Sequence, residues 1–391
     1  MSINFKSLKH ISVVVIGGSH AGLGLSHRLL EQAPGVSIKL VNPSDEYYFN
    51  IAAPRFLVKP DSLQLSQYIH SIPESFRDYP SRRFTFIDGL VTNVDLVAKS
   101  IAIRKRDASN MTLPYDYLII ASGSTTPATV GDGSLKLPLK PNGFEDLRAT
   151  IRETQAKIQN SMTVAIGGGG PLGVELAGEL AEASGPSKTV TLISGSRGLL
   201  PGLPGPVKQA ARSLLDVKGV DILESTTVDR VEHDQATRKW IVRLSTGRKL
   251  IVDAYISATG VIPNNQFIPR ALLNEDGWIN VDEHLRVRNN GECQHDVYAL
   301  GDITAHPYRL LSRISAQIST VVASITASIR GQGHLVTYFP EAQRKMTVIP
   351  VGGSTGTGHL GGWTLPGFVV YWFKGKDYLI HKAPKFLKGQ D

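Results

Sequence analysis

Two glycine-rich turns lie 151 residues apart in this chain and match position for position. The first is Val15-Ile16-Gly17-Gly18-Ser19-His20-Ala21-Gly22, and the second is Ala165-Ile166-Gly167-Gly168-Gly169-Gly170-Pro171-Leu172-Gly173. Adding 151 takes Gly17 to Gly168, Ser19 to Gly170 and Gly22 to Gly173. Each turn follows a short apolar run, Ile11 to Ile16 and Met162 to Ile166. Each opens a helical pattern, Leu23 to Leu30 and Val174 to Ala183. In a dinucleotide-binding turn the first glycine makes the tight bend, and the second lets backbone N–H groups approach a pyrophosphate. The third lets the helix pack on the strand. The helix N-terminus then faces the phosphates. One such turn is a weak signal. Two, both between strand and helix, point to an α/β enzyme that brings two dinucleotides together.

At 391 residues the chain has room for two or three domains. With 19% charged and 41% hydrophobic residues it reads as an ordinary globular protein. A net charge of +8 suits nucleic acid, an anionic membrane surface or phosphate-bearing cofactors. The basic runs Arg82-Arg83 and Arg104-Lys105-Arg106 read as solvated turns. No stacking aromatics surround them, which sets nucleic acid aside. The single cysteine, Cys293, sits in a polar segment and reads as incidental. One cysteine rules out an intrachain disulfide and a cysteine-ligated zinc site, and points to a reducing, cytoplasmic setting. No metal site is read. Ten residues precede the first strand, too few for a signal peptide, and Lys6 and Lys9 give only a faint basic flavour. Residue 2 is Ser, so the myristoylation pattern is missing. No apolar run approaches the ~20 residues of a membrane span.

Beyond the glycine turns, the two halves repeat an order of elements. Val36 to Val41 reads as a second strand ending at Asn42, where an acid often holds an adenosine ribose. Phe84 to Ile87, Ser100 to Ile103 and Tyr117 to Ile120 read as strands, the last running into Ala121-Ser122-Gly123. In the second half, Val190 to Ile193 ends at Ser194. Trp240 to Val242 and Ala254 to Ile256 follow, the last running into Ala258-Thr259-Gly260. Val297-Tyr298-Ala299-Leu300-Gly301-Asp302 precedes a helical pattern over Ile314 to Ile329. A strand near Met346 to Ile349 and a glycine-rich stretch, Gly352 to Gly362, lead to an aromatic, basic tail. The glycine-rich stretch lacks the Lys-Ser/Thr of a phosphate loop and reads as a hairpin.

The paired turns, the two Ala-Ser/Thr-Gly strand ends and the late Tyr-Ala-x-Gly-Asp together resemble the two-dinucleotide-domain flavoprotein family. That family includes glutathione reductase, type II NADH dehydrogenases and apoptosis-inducing factors, and the resemblance spans residues 11 to about 340. Ala52-Ala53-Pro54-Arg55, Gly89-Leu90-Val91, Gly173-Val174-Glu175-Leu176-Ala177 and the tail from Gly356 to Asp377 most resemble its ferroptosis-suppressor branch, also called apoptosis-inducing factor 2. The resemblance implies two Rossmann-like domains of glutathione-reductase type plus a small C-terminal α+β subdomain. It places FAD on 1–125 and 261–340, NAD(P)H on 126–260, and the subdomain on 341–391. FAD would be held by Gly17, Gly18, Ser19, His20, Ala21, Gly22, Asn42, Arg55, Val91, Ala121 and Asp302. NAD(P)H would be held by Gly168, Gly170, Gly173, Ser194, Arg197 and Gly260. Members of the branch pass electrons from NAD(P)H to quinones. Three departures stand out: Ser19 replaces a glycine, Asn42 replaces the ribose acid, and the family's redox cysteine pair is absent. Asn42 still accepts and donates hydrogen bonds but carries no charge.

Hydride transfer needs the nicotinamide stacked within about 3.5 Å of the flavin. Glu175, two residues past Gly173, is the candidate carboxylate at that junction. The alternative is that it only complements the positive end of the helix. Lys374 matches a tail lysine of the family and is a second candidate. Ser194-Gly195-Ser196-Arg197 has no acid for a ribose 2′-OH, and Arg197 can pair with a 2′-phosphate, so NADPH is expected to be tolerated. Arg55 is expected at the FAD pyrophosphate or the reduced flavin, and Gln317 at the flavin edge or in the core. Trp363, Phe368, Trp372 and the lysines after them have the composition of an interfacial element, and the competing reading is a packed subdomain. The expectation is an FAD-dependent NAD(P)H:quinone oxidoreductase, cytoplasmic or peripheral on a membrane, lipid droplet or mitochondrial surface. An oxidase or a slow, apoptosis-inducing-factor-like signalling flavoprotein is the alternative.

Overall fold

The computed structural model describes residues 10–33, 35–131, 133–307, 309–331, 335–339 and 346–390. Lys6 and Lys9 lie outside the described residues. The first half contains β1 (Ile11–Ile16), α1 (His20–Gln32), β2 (Val36–Asn42), α2 (Ala53–Val58), β3 (Phe84–Asp95), β4 (Ser100–Lys105), β5 (Asn110–Pro114) and β6 (Tyr117–Ile120). The second half contains α3 (Leu147–Asn160), β7 (Thr163–Gly167), α4 (Pro171–Ser184), β8 (Thr189–Ile193), α5 (Gly205–Val217) and β9 (Asp221–Leu223). It continues with β10 (Val228–Asp234), β11 (Lys239–Leu244), β12 (Lys249–Val252) and β13 (Ala254–Ser257). The chain then adds β14 (Arg286–Asn289), β15 (Glu292–Ala299) and α6 (Ile314–Ile329). It closes with β16 (Met346–Pro350), β17 (Gly356–Leu360), β18 (Trp363–Thr364), α7 (Gly367–Val370) and α8 (Ala383–Leu387).

The first sheet runs β14-β15-β6-β1-β2-β3-β4-β5, and the second runs β9-β8-β7-β13. Within them, β6-β1-β2-β3 and β13-β7-β8-β9 are the same parallel arrangement. Each unit inserts an antiparallel meander before its last parallel strand, through β3–β5 in one and β10–β12 in the other. The central strands β1 and β2 are β-branched and nearly continuous in burial, as strands covered on both faces must be. α4 begins with Pro171, whose missing N–H costs nothing in a first turn, and continues through strong helix formers.

One core joins the units. It runs from Val13, Leu25 and Leu29 through Leu176, Ala177 and Leu180 to Ile318, Val321 and Ile325 of α6. It ends on Tyr378, Ile380, Ala383 and Leu387 near the C-terminus. Two smaller cores lie between each sheet and its neighbouring strands.

The elements are longer and more numerous than the sequence pattern showed. β3 extends to Asp95, and β5, β10, β12 and β14 were not read. They are short or alternate polar residues toward solvent, which blurs the apolar signal. The basic runs are also corrected. Arg83 donates to the carbonyls of Leu30 and Val36, tying the end of α1 to β2. Helix ends leave carbonyls without intrahelical partners, and a guanidinium satisfies them. Arg106 pairs with Asp88 at 2.9 Å and donates to Pro43 O and Phe144 O.

Candidate functional site

The two glycine turns are built alike. Gly17 and Gly168 have φ of +111° and +124°, a region closed to other residues in practice. A Cβ on Gly17 would fall 2.3 Å from Ala121 O, and one on Gly168 would fall 2.4 Å from Ala258 O. Ala121 N donates to Ile16 O and Ala258 N to Gly167 O, so each Ala-Ser/Thr-Gly strand end closes its own glycine turn. A Cβ on Gly22 would lie 1.9 Å from Gly17 O, and one on Gly173 1.9 Å from Gly168 O. These are the helix-on-strand contacts that forbid a side chain.

The cradle positions differ. A Cβ on Gly170 would meet nothing within 4 Å, leaving open space before α4. At the matching place Ser19 sits before α1 in extended conformation, its hydroxyl 3.1 Å from His20 Nδ1. The first N–H groups of α1 and α4 lack intrahelical acceptors, and both helices offer a dipole end to an anion. The cradles therefore fit two pyrophosphates. The ring of His20 is enclosed by Tyr47, Phe49 and Phe386 at centroid distances of 5.3–5.7 Å, and Ala21 follows it buried in the first turn.

The strand-end residues hold their turns. Asn42 Oδ1 accepts from Gly18 N at 2.9 Å, and its Nδ2 donates to Ser44 O. Ser194 is buried under Gly169 and donates weakly to carbonyls of its own loop. Arg197 is exposed and forms no ion pair among the described residues. Gly260 takes φ +67°, matching Gly123 at +68°. Val91 pairs across to Ile103 and is buried in the core behind the first sheet.

Asp302 lies at the start of the segment between β15 and α6, half-buried beside Lys140 Nζ at 2.5 Å and Ser124 Oγ at 3.1 Å. Burial opposes its ionised form, but Lys140, Ser124 and Arg309 outweigh that and hold its carboxyl below the ordinary range. Gln317 points back from α6, and its Oε1 accepts from Gly301 N at 2.8 Å, fixing the turn that presents Asp302. Sequence reasoning did not single out Lys140. Its segment carries no motif, and only the fold brings it to Asp302. Cys293 is the second residue of β15 and donates to Asp282; burial and that carboxylate push its thiol up, which disfavours the reactive thiolate.

Glu175 and Lys374 come together, Lys374 Nζ standing 2.5 Å from Glu175 Oε1. Burial raises the Glu175 carboxyl, Lys374 pulls it back, and Glu179 raises it further. The net direction is upward, because burial outweighs the ammonium. Glu175, Glu179 and Glu182 share one face of α4 by their spacing. Each meets cations from elsewhere: Lys374 on Glu175, Arg55 and Lys59 on Glu179, and Lys59 and Lys218 on Glu182. Arg55, expected at the FAD pyrophosphate or flavin, turns its guanidinium toward α4 and the tail. Its Nε lies 2.8 Å from Glu179 Oε2, its Nη2 donates to Gly375 O, and its plane covers Tyr378.

The tail divides. Trp363, Phe368, Trp372 and Phe373 are 82%, 68%, 64% and 54% exposed, whereas Tyr378, Ala383 and Leu387 are buried in the main core. The glycine-rich stretch makes the expected hairpin, with β16 pairing β17. α7 starts directly after Pro366 and widens into a turn over Tyr371–Gly375, where Lys376 N donates to Tyr371 O.

Paired dinucleotide cradles on matching sheets, with a buried carboxylate–ammonium pair at the head of α4, define a two-dinucleotide oxidoreductase. Residues 11–328 match the pyridine nucleotide-disulphide oxidoreductase family. The chain belongs to that family and is an NAD(P)H-dependent flavoprotein oxidoreductase whose cofactors are FAD and NAD(P)H. It is 32% identical over 390 residues to oxidoreductase ptaL of Pestalotiopsis fici, covering 98% of this chain and 99% of that one. It is 28% identical over 395 residues to human ferroptosis suppressor protein 1, covering 97% and 96%. The fold is similar to that of the sulfide:quinone oxidoreductase of Aquifex aeolicus, at TM-score 0.77, 17% identity, and coverage of 97% and 92%. Among the described residues no helix is long and apolar enough to cross a membrane.

Proposed function

We propose that this protein passes hydride from NAD(P)H through FAD to a quinone. The observation that carries the reading is the Glu175–Lys374 pair near the head of α4, with Glu175 buried and Lys374 half-buried. A carboxylate beside a positive charge is the kind of pair that a reduced, anionic acceptor would use, which supports the reading. The full-length similarity to a ferroptosis suppressor protein supports the acceptor class, as does the likeness in fold to a sulfide:quinone oxidoreductase. The single cysteine supports direct delivery to an acceptor, because the chain cannot form an intrachain redox disulfide.

Bound FAD supplies hydride acceptance and delivery of one or two electrons, chemistry that no side chain here can perform. The first cradle, from Gly17 to Gly22, would hold its pyrophosphate, and Asp302, held by Lys140 and Ser124, would orient its polyol. The second cradle, from Gly168 to Gly173, would hold the pyridine nucleotide, and exposed Arg197 would donate to a 2′-phosphate. Glu175 would orient the carboxamide or hold a proton for the acceptor, and Lys374 offsets part of the upward pull of burial on its carboxyl.

The exposed Trp363, Phe368, Trp372 and Phe373, with the exposed Lys376 after them, form the contact to a lipid surface in this reading. Amphipathic aromatics and lysines match the headgroup zone, where a lipid quinone is reached. A steady-state screen of NADH and NADPH against short- and long-chain quinones, ferricyanide and oxygen tests the reading. Quinone turnover well above oxygen turnover is expected. Fast oxygen reduction with inert quinones selects the oxidase instead, and uniformly slow turnover selects a signalling flavoprotein.

A further inference from the structure

We propose that Arg55 is a positioning residue for Lys374: its guanidinium anchors the Gly375 carbonyl to α2, so that the preceding lysine reaches Glu175. The inference rests on the reading of Glu175 and Lys374 as the reacting site.

Arg55 is buried, although it lies in a helix of only six residues. Its fork divides between two elements. Nε lies 2.8 Å from Glu179 Oε2 on α4, and Nη2 donates to Gly375 O at 2.8 Å. Glu179 is one helical turn past Glu175, and Gly375 is one residue past Lys374. One planar cation therefore fixes the neighbours of both members of the site.

The segment it grips is not self-supporting. After the wide turn over Tyr371–Gly375, Tyr378 and Leu379 have φ of +51° and +63°, two successive non-glycine residues in the left-handed region. Such a backbone persists only where its surroundings hold it. Tyr378 N donates to Lys374 O at 2.6 Å, and the Tyr378 ring packs between Arg55 at 4.9 Å and Lys374 Nζ at 5.4 Å. Neutralising Glu179 does not by itself account for Arg55, because Lys59 Nζ already lies 2.9 Å from the same carboxylate oxygen. What Lys59 does not supply is a donor to Gly375 O.

The test uses the purified FAD-loaded protein. Arg55→Lys retains a cation for Glu179 but loses the fork, so a lysine ammonium on Glu179 leaves Gly375 O without its donor. Melting temperature and flavin content should stay near those of the parent. The rate of flavin reduction by NADH should fall roughly tenfold to a hundredfold, the scale of an ångström of misplacement. Lys374→Met should fall likewise, and the double variant should be no slower than Lys374→Met alone. Independently of activity, trypsin should cut after Lys374 and Lys376 faster in Arg55→Lys than in the parent. Where Arg55→Lys does not fold, Arg55→Met with Glu179→Met removes the buried charges together, a replacement that cores often accept. Parental rates and cleavage in Arg55→Lys, with Lys374→Met impaired, overturn the role of Arg55. Losses that multiply in the double variant overturn it too. A parental rate in Lys374→Met instead overturns the reading of the site itself.

Discussion

Lys374 Nζ lies 2.5 Å from Glu175 Oε1, although 199 residues separate them in the chain. The pair joins the C-terminal subdomain to the nucleotide-binding helix α4, and both partners are largely shielded from water. A carboxylate in that setting loses solvation and depends on its one ammonium to remain charged. The pair is therefore both a structural bridge and a proton-responsive site.

The pH dependence of turnover should report Glu175. Because burial and Glu179 raise its carboxyl, the kinetic ionisation should lie above the ordinary carboxylate value of 4.5. Lys374→Met removes the group that lowers it, so the inflection should move further up. Glu175→Gln should abolish the inflection and lower kcat by about 10²-fold. A pH–rate profile of the three proteins checks this.

Cofactor preference should be broad. With Ser194 and Arg197 in place of a ribose-binding acid, kcat/KM for NADPH should lie within about tenfold of that for NADH, a gap of about 1.4 kcal/mol. Arg197→Ala should raise KM for NADPH more than for NADH. Because Arg197 is exposed, its removal should leave the melting temperature unchanged.

Asp302→Ala should weaken FAD retention through gel filtration, because it removes an anchoring carboxylate and leaves the Lys140 ammonium without its partner. Asp302→Asn, which keeps the shape and an acceptor, should retain more flavin than Asp302→Ala. The ratio of flavin to protein absorbance is the measurement.

Acid stability should depend on Glu182. Burial works against its charge, yet hydrogen bonds from Lys59, Lys218 and Gly353 N prevail and lower its pKa from 4.5 to about 2. A carboxyl lowered in the folded state stabilises above the unfolded value and loses that contribution as pH falls through the folded value. The wild-type melting temperature should therefore drop between about pH 4.5 and 2. Glu182→Gln should start lower at neutral pH and show a shallower decline over that window.

The two parts of the tail should respond differently. Trp363→Ala, Phe368→Ala and Trp372→Ala should each change stability by less than about 0.5 kcal/mol, because the rings are exposed. They should weaken binding to anionic liposomes, and salt should weaken the lysine attraction in parent and variants alike. Leu387→Ala opens the core and should cost about 2–5 kcal/mol. A parent protein that ignores anionic liposomes at low salt removes the membrane proposal.

The amino-acid sequence alone determined the duplicated nucleotide turns, their closing Ala-Ser/Thr-Gly strand ends and Asp302. The turns are legible because their requirements are written into residue type: a positive φ or a missing Cβ demands glycine at fixed spacing, as at Gly17, Gly22, Gly168 and Gly173. Burial on both sheet faces likewise wrote β1, β2, β7 and β8 as apolar runs. Tertiary structure alone decided the partners of charge. The spacing of Glu175, Glu179 and Glu182 marks one helix face, but their cations arrive from α2, α5's end and the tail. Arg55, Arg83, Arg106 and Lys140 were opaque for the same reason, since a cation's role depends on which distant acceptor lies within about 3 Å. The tail's division was equally hidden. Trp372 and Tyr378 are both aromatic in sequence, and only packing against α4 and Arg55 buries one and leaves the other to solvent.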